Sequence, residues 1–243
     1  MKHIVSIILA MMFILPAKAD GLFDGKTSLG FGITTFLLNG SNPANQKIFP
    51  KESEGAIGGG FPNWQSGISL KGTLGIDKNN NYRIPFGLDY YIMNGVQRLP
   101  DKFYTIQASH TIHIPTVFAG FEYAFAELPL ANAKAFVGLD LRLSMITSSE
   151  LEVFLNYEKT DFPDTTRYFG KQNASRLGSS LRVGIEGVVE DRWSVNISAG
   201  YTAFNLLGRD NARGELFTPS SLSESVESII GGIMTAVLVQ YTL

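Results

Sequence analysis

The sequence predicts an all-β fold, a closed antiparallel eight-stranded transmembrane β-barrel, on three observations. Eight stretches alternate apolar and polar residues, the connections between them alternate long and short, and the charge lies on the polar faces alone. Strand side chains point to opposite faces with period 2, and alternating segments of this kind, joined by turns, are how a membrane barrel is encoded.

The clearest stretch runs from Tyr82 to Met93. Tyr82, Ile84, Phe86, Leu88, Tyr90 and Ile92 share one face, and Arg83, Pro85, Gly87, Asp89 and Tyr91 share the other. A helix would scatter those residues around its circumference. The first stretch, from Thr27 to Leu38, sets Leu29, Phe31, Ile33 and Leu37 against Gly30, Gly32 and Thr34, and the second, from Ser66 to Ile76, sets Ile68, Leu70, Leu74 and Ile76 against Ser69, Lys71, Thr73 and Gly75. The fourth covers Thr111 to Phe125, with Val117, Ala119, Phe121, Tyr123 and Phe125 against Gly120, Glu122 and Ala124. A phase slip or bulge is expected there at Pro115, which has no N–H for the ladder.

The fifth stretch, from Ala133 to Ile146, places Lys134, Phe136, Gly138, Asp140, Arg142 and Ser144 opposite an apolar row. The sixth, from Arg176 to Val189, carries Arg176, Arg182, Gly184 and Glu186 on its polar face. The seventh, from Trp193 to Phe204, opposes Trp193, Val195, Ile197, Ala199 and Tyr201 to Ser194, Asn196, Ser198 and Gly200. The last, from Ile229 to Leu243, alternates Ile233, Val237, Val239, Tyr241 and Leu243 with Met234, Gln240 and Thr242. Each is close to the length a tilted strand needs to cross a bilayer.

Connections 77–81, 126–132 and 190–192 are short, while 39–65, 94–110, 147–175 and 207–228 are long. Outer-membrane barrels keep short turns in the periplasm and long loops outside. Both termini are therefore expected on the periplasmic side, with Tyr82, Trp193 and Tyr241 at that rim, where amphipathic rings favour the interface.

At the N-terminus, Lys2, the apolar run from Ile4 to Leu15 and Ala17-Lys18-Ala19 read as a secretory signal, residues 1–19, leaving 20–243 as the barrel domain. The run is too short for a spanning helix, which needs about 20 residues. Charged residues make up 17% of the chain, against about 25% in typical soluble proteins. Removing the signal takes Lys2 and Lys18 from the 20 basic residues and leaves the 22 acidic ones, a net charge near −4. That lacks the basic excess of a nucleic-acid binder. With 0 cysteines, disulfides are excluded.

A soluble eight-stranded barrel would keep its apolar face inside. Here the inner face carries Lys71, Arg83, Arg142 and Arg182 beside Asp89, Glu122, Asp140 and Glu186. Buried ions are costly unless paired, so a balanced interior charge network is expected to plug the middle of a narrow lumen. Lys71 and Asp89 flank the turn at Asn79 at similar distances and are expected to be neighbours. Asp140 and Arg182 are expected to meet across the fifth and sixth strands.

These features resemble the small OmpA/OmpX-like outer-membrane barrels: the signal, the eight strands, the loop asymmetry, the internal charges and an alternating C-terminal strand. The resemblance is one of pattern over nearly the whole mature sequence. It implies bacterial outer-membrane localisation, lipid contact and a monomer. Such C-terminal strands usually end in an aromatic residue; this one ends in Leu243, with Tyr241 two places earlier.

No catalytic, cofactor or metal site is expected. Some outer-membrane lipid-modifying enzymes use His, Ser and a carboxylate, and Asp101, Ser109 and His110 lie close in sequence, but a triad is defined by geometry and no matching arrangement is found. His110 and His113 differ by an odd number and point to opposite faces. Gly58-Gly59-Gly60 lacks the following elements of a phosphate loop. Beyond the fifth strand, Leu151, Val153, Leu155 and Tyr157 alternate with Glu150, Glu152 and Glu158, which allows the fifth and sixth strands to project as a hairpin whose edges suit a surface partner; a solvated acidic loop with no partner is the preferred reading of the same residues. The functional expectation is a structural or surface-interaction protein, for adhesion or envelope integrity. The alternative is a narrow pore or a route for small apolar solutes.

Overall fold

The computed structural model describes residues 24–38, 64–100, 104–157, 164–169, 173–208 and 229–243. The segment 1–19 read as a signal, Gly58–Gly60, Asp101 and Glu158 lie outside them. Among the described residues no helix is long and apolar enough to cross a membrane. Ten strands form in chain order: β1 (Thr27–Leu38), β2 (Trp64–Gly75), β3 (Tyr82–Pro100), β4 (Tyr104–Leu128), β5 (Ala133–Ile146), β6 (Ser148–Tyr157), β7 (Asp164–Phe169), β8 (Ala174–Glu190), β9 (Trp193–Leu207) and β10 (Gly231–Thr242).

Eight of them close a ring. The order is β3-β2-β1-β10-β9-β8-β5-β4, and β4 pairs back onto β3. Every neighbouring pair is antiparallel; the first and last strands join from Ser28↔Thr242 to Leu38↔Gly232. Closure leaves the ring ladder without an edge, the condition that β-structure in hydrocarbon must meet, where no water can satisfy backbone groups.

The outside is apolar. Phe31, Ile33, Ile68, Phe121, Leu139, Leu141, Leu181, Val183, Ile197, Val237 and Val239 are all exposed, on seven different strands. The opposite faces hold the buried polar and charged side chains, so the barrel is inside-out relative to a soluble one. Paired rings mark the rim that carries the short turns: Tyr82 stacks on its cross-strand partner Tyr123 with centroids 5.1 Å apart, and Trp193 meets Tyr241 edge-on at 5.0 Å.

Turn chemistry explains that end. In the β2–β3 turn, Asp77 Oδ1 accepts the backbone N–H groups of Asn81 and Tyr82, both at 2.8 Å, while Asn80 takes the left-handed conformation (φ 58°). These N–H donors, Tyr82 foremost, hold the Asp77 carboxyl below the usual carboxylate range.

The outer end departs from the sequence reading in three ways. Segment 94–110, expected as a long loop, is mostly strand: β3 continues to Pro100 and β4 begins at Tyr104. The phase of β4 does not slip at Pro115, where the register with β3 runs through Tyr90↔Pro115 unbroken. What changes there is the neighbour on the other side. β4 pairs with β5 up to Thr116↔Ser144 and with β6 from His113↔Ser148, so Pro115 sits at the switch, where a residue without an N–H costs no ladder bond. The β4 irregularity against β5 lies instead between Ala124 and Ala126. Third, the projecting hairpin is β6–β7, separated from β5 by Thr147, and β6 turns sideways onto β4 rather than rising with β8. The result is a four-stranded outer sheet, β3-β4-β6-β7, standing above the ring.

Ring closure is directly testable. Thr35 and Thr235 face each other outside the β1–β10 seam, with their hydroxyls 2.7 Å apart. In this cysteine-free chain, Thr35→Cys with Thr235→Cys is expected to form a disulfide in the folded protein, seen as a changed mobility of the boiled, unreduced chain. Failure to cross-link in protein whose unboiled mobility shows it folded would refute the seam.

Candidate functional site

The lumen is built from inward-facing side chains, and one hydrogen-bonded row across the sheet organises its lower half. Gly75↔Arg83, Arg83↔Glu122, Glu122↔Gly138, Gly138↔Arg182 and Arg182↔Gly200 are successive cross-strand partners. Charged residues are interleaved with glycines, which leave space for them. A Cβ on Gly138 would lie 3.0 Å from the Cγ of Glu122, so the glycine lets Glu122 and Arg182 meet over β5.

Glu122 is the centre. Its Oε1 accepts Lys71 Nζ at 2.5 Å and lies 2.6 Å from Arg182 Nη2, while Oε2 lies 3.6 Å from Arg83 Nε. Arg182 also donates to Asp140, through Nε at 2.7 Å and Nη2 at 3.1 Å. Arg83 Nη1 donates to Glu186 at 2.6 Å. Arg142 pairs separately with Asp89. Four cations and four carboxylates thus close on one another, and all but Glu186 are buried.

The structure brings Asp140 and Arg182 together but not Lys71 and Asp89. The β2–β3 register puts Gly87 opposite Lys71 and Ser69 opposite Asp89. One pleat of offset sends Lys71 across to Glu122 and leaves Asp89 to Arg142. Aromatic rings line the cations: Lys71 and Arg83 lie 5.2 and 5.1 Å from the Phe136 centroid, and Arg142 lies 5.0 Å from that of Phe118. Such faces attract cations in a desolvated setting. The Phe136 ring in turn covers Gly184, where a Cβ would come within 2.5 Å of its Cζ.

The outer half of the lumen is different. Phe36, Leu38, Tyr91, Met93, Ile112, Ile114, Ile146, Phe204, Ile230 and Met234 form one buried apolar cluster, contributed by six ring strands and the residue before β10. Phe36 packs edge-on against Phe204 at 4.7 Å, and Tyr91 donates or accepts a 2.9 Å hydrogen bond with Thr34. Sequence reading assigned the middle plug to charges and missed this one. Its signal was the failure of alternation at the outer strand ends, as in Phe36-Leu37-Leu38 and Tyr90-Tyr91-Ile92-Met93, where both faces turn apolar. Between charge network and apolar plug lies a cavity of about 20 Å³, bounded by Lys71, Asp89, Asp140, Arg142, Arg182 and Met234 among others. That is room for about one water.

Above the apolar belt, in the outer sheet, His110 and Ser149 are both fully buried, with Nε2 and Oγ 3.2 Å apart. His113 faces the other way, as its odd spacing requires, and its Nδ1 lies 2.7 Å from Tyr90 Oη. Burial pulls the His110 imidazole down to about 4. Ser109 pairs across with Glu152, on the face opposite His110. Among the described residues no group of three or more His, Cys, Asp or Glu could hold a metal.

No family model and no curated protein matches the chain. Solved structures similar to it include the following three. Neisserial surface protein A (NspA) is 12% identical with a TM-score of 0.45, over 90% of this chain and 99% of that one. Ail, the attachment invasion locus protein of Yersinia pestis, is 10% identical with a TM-score of 0.35 over the same shares. Ail in complex with the heparin analogue sucrose octasulfate gives 12% and 0.37, again over 90% and 99%.

Glu122→Gln leaves three buried cations short of their shared counter-charge and is expected to destabilise the barrel by about 3–5 kcal/mol in urea titrations in micelles. Reversing Lys71 to Glu should be partly rescued by Glu122→Lys and not by Asp89→Lys. Rescue by the Asp89 change instead would overturn the assigned pairing.

The outer sheet should be acid-sensitive. The unfolded His110 titrates near 6.5, so between that and about 4 the unfolded state binds more protons. Stability there is full above about 6.5 and falls as the pH drops toward 4. Amide exchange in β4 and β6 is expected to accelerate over that window, and His110→Gln should remove the dependence. A pH-independent wild type would refute it.

Proposed function

We propose that this chain is a non-enzymatic integral protein of the bacterial outer membrane, a closed barrel that holds an extracellular β-sheet as a surface for structural or adhesive contact. The carrying observation is the division of the molecule: a lumen filled by an ion network below and an apolar plug above, and a four-stranded sheet raised beyond it. Membrane placement is supported by the exposed apolar belt, the enclosed charges and the two aromatic pairs at one rim.

The outer sheet supplies what a contact surface needs. Among the described residues, β7 has β6 as its one strand neighbour, and β3 beyond Tyr91 pairs with β4 alone. Such edges offer backbone groups to an incoming strand. Exposed Val96 and Phe169 add apolar anchors, and Arg167 lies 3.6 Å from Glu150 and 4.0 Å from Glu152 on the solvent side.

A narrow pore or an apolar-solute route draws less support, since the void between the two plugs accommodates about one water. Catalysis draws less still: His110 and Ser149 are sealed from solvent, and a general base must reach its substrate.

Refolded protein in planar bilayers is expected to be electrically silent, with unboiled gel mobility confirming the barrel. Reproducible discrete openings would make transport the better reading. On cells, replacing 148–169 by a short turn should abolish surface contacts while leaving membrane insertion intact; unchanged binding would place the contact elsewhere.

A further inference from the structure

The periplasmic mouth of the barrel holds a vestibule of about 180 Å³ that neither the lumen plug nor the outer sheet accounts for. We infer that this vestibule is a binding site for an oxyanion, a carboxylate or phosphate group carried by a periplasmic molecule. Lys26, Lys78, Arg83, Lys134 and Arg192 line it, against two carboxylates, Glu186 and Asp191. The same end of the barrel also carries Asp24, Asp77, Glu127 and Glu190, but none of these lines the vestibule. Charge is therefore sorted: cations converge on the cavity and most of the carboxylates stay on the rim.

Two buried groups make this more than a basic rim. Arg83 is 1% exposed, and its Nη2 has no hydrogen-bond acceptor among the described residues although Nη1 is held by Glu186. Ser194, 4% exposed, likewise has a hydroxyl without a partner. Buried donors are normally satisfied, and a guanidinium edge and a hydroxyl lining one cavity are donor types suited to an oxyanion. Lys26 and Lys78 are exposed and make no ion pair among the described residues, so they are free to close over a ligand. Lys134 is not free, since it lies 3.2 Å from Glu127 Oε1 and donates to Asn79 O and, at 3.1 Å, to Asn81 Oδ1. Arg192 donates to Tyr241 at 3.2 Å and keeps its remaining donors.

The site rests on the orientation expected from the loop lengths only for the compartment it faces; its chemistry stands without it. Trp193 lines the vestibule, and the other tryptophan, Trp64, lies at the opposite end of the barrel. Trp64→Phe therefore makes Trp193 the sole indole reporter. Fluorescence of that protein, folded in non-ionic micelles, would be titrated with inorganic phosphate and with N-acetylalanine at constant ionic strength set by chloride. A saturable response to either oxyanion is expected, and the preferred one distinguishes a phosphate from a peptide carboxylate as the group recognised. Adding Lys26→Ser and Lys78→Ser, both exposed and outside the ion network, should raise Kd about tenfold or more, the loss of a charge-assisted contact. An unsaturable response, or an equal Kd in the lysine variant with unboiled mobility intact, would overturn the site. Conductance or adhesion results would leave it untouched.

Discussion

A single carboxylate held against three cations in a space closed to bulk water is the constraint on which the lower barrel depends. Glu122 takes Lys71 at 2.5 Å, Arg182 at 2.6 Å and Arg83 at 3.6 Å, from three different strands. Removing such charges from water costs several kcal/mol per ion, repaid only by close geometry and full pairing. That requirement explains the glycines of the same cross-strand row, which bring the charged side chains over intervening strands, and the Phe136 ring that three of the cations approach. It also explains why the network itself sets four positive charges against four negative ones rather than being merely polar.

The two halves of the lumen solve one problem with opposite chemistry. An eight-stranded ring is just wide enough for side chains to fill. Below, filling by ions ties β2, β3, β4, β5 and β8 together through the centre. Above, Phe36, Tyr91, Ile112, Phe204 and Met234 fill it by apolar packing. With the lumen committed to holding the ring together, variation is left to the ends: a raised sheet at one and a largely cationic vestibule at the other.

Period-2 alternation made the eight ring strands and their facing legible, because one face meets lipid and the other a polar interior, and no other periodicity fits both. Inward charges were legible for the same reason. Their partners were not. Lys71 and Glu122 meet across the lumen, a distance that no strand spacing encodes, and a one-pleat offset at the β2–β3 turn was enough to misassign Asp89. Asp140 and Arg182 were readable because they sit on neighbouring strands. The outer sheet escaped because its strands outrun the apolar belt: Asn94, Thr111 and Glu150 break the apolar face, while the backbone continues as strand. Pro115 was recognised as a discontinuity, but the change falls on its neighbours, β5 and β6, rather than on its own strand.

The most direct test of this account is a double-mutant cycle between Glu122 and Arg182, measured by urea unfolding in micelles. If the network centred on Glu122 holds the lower barrel, Glu122→Gln and Arg182→Met are expected to be strongly coupled, the pair costing well below the sum of the single changes. Additive effects would mean that the two side chains stand close without depending on each other, and would contradict the claim that this carboxylate organises the fold.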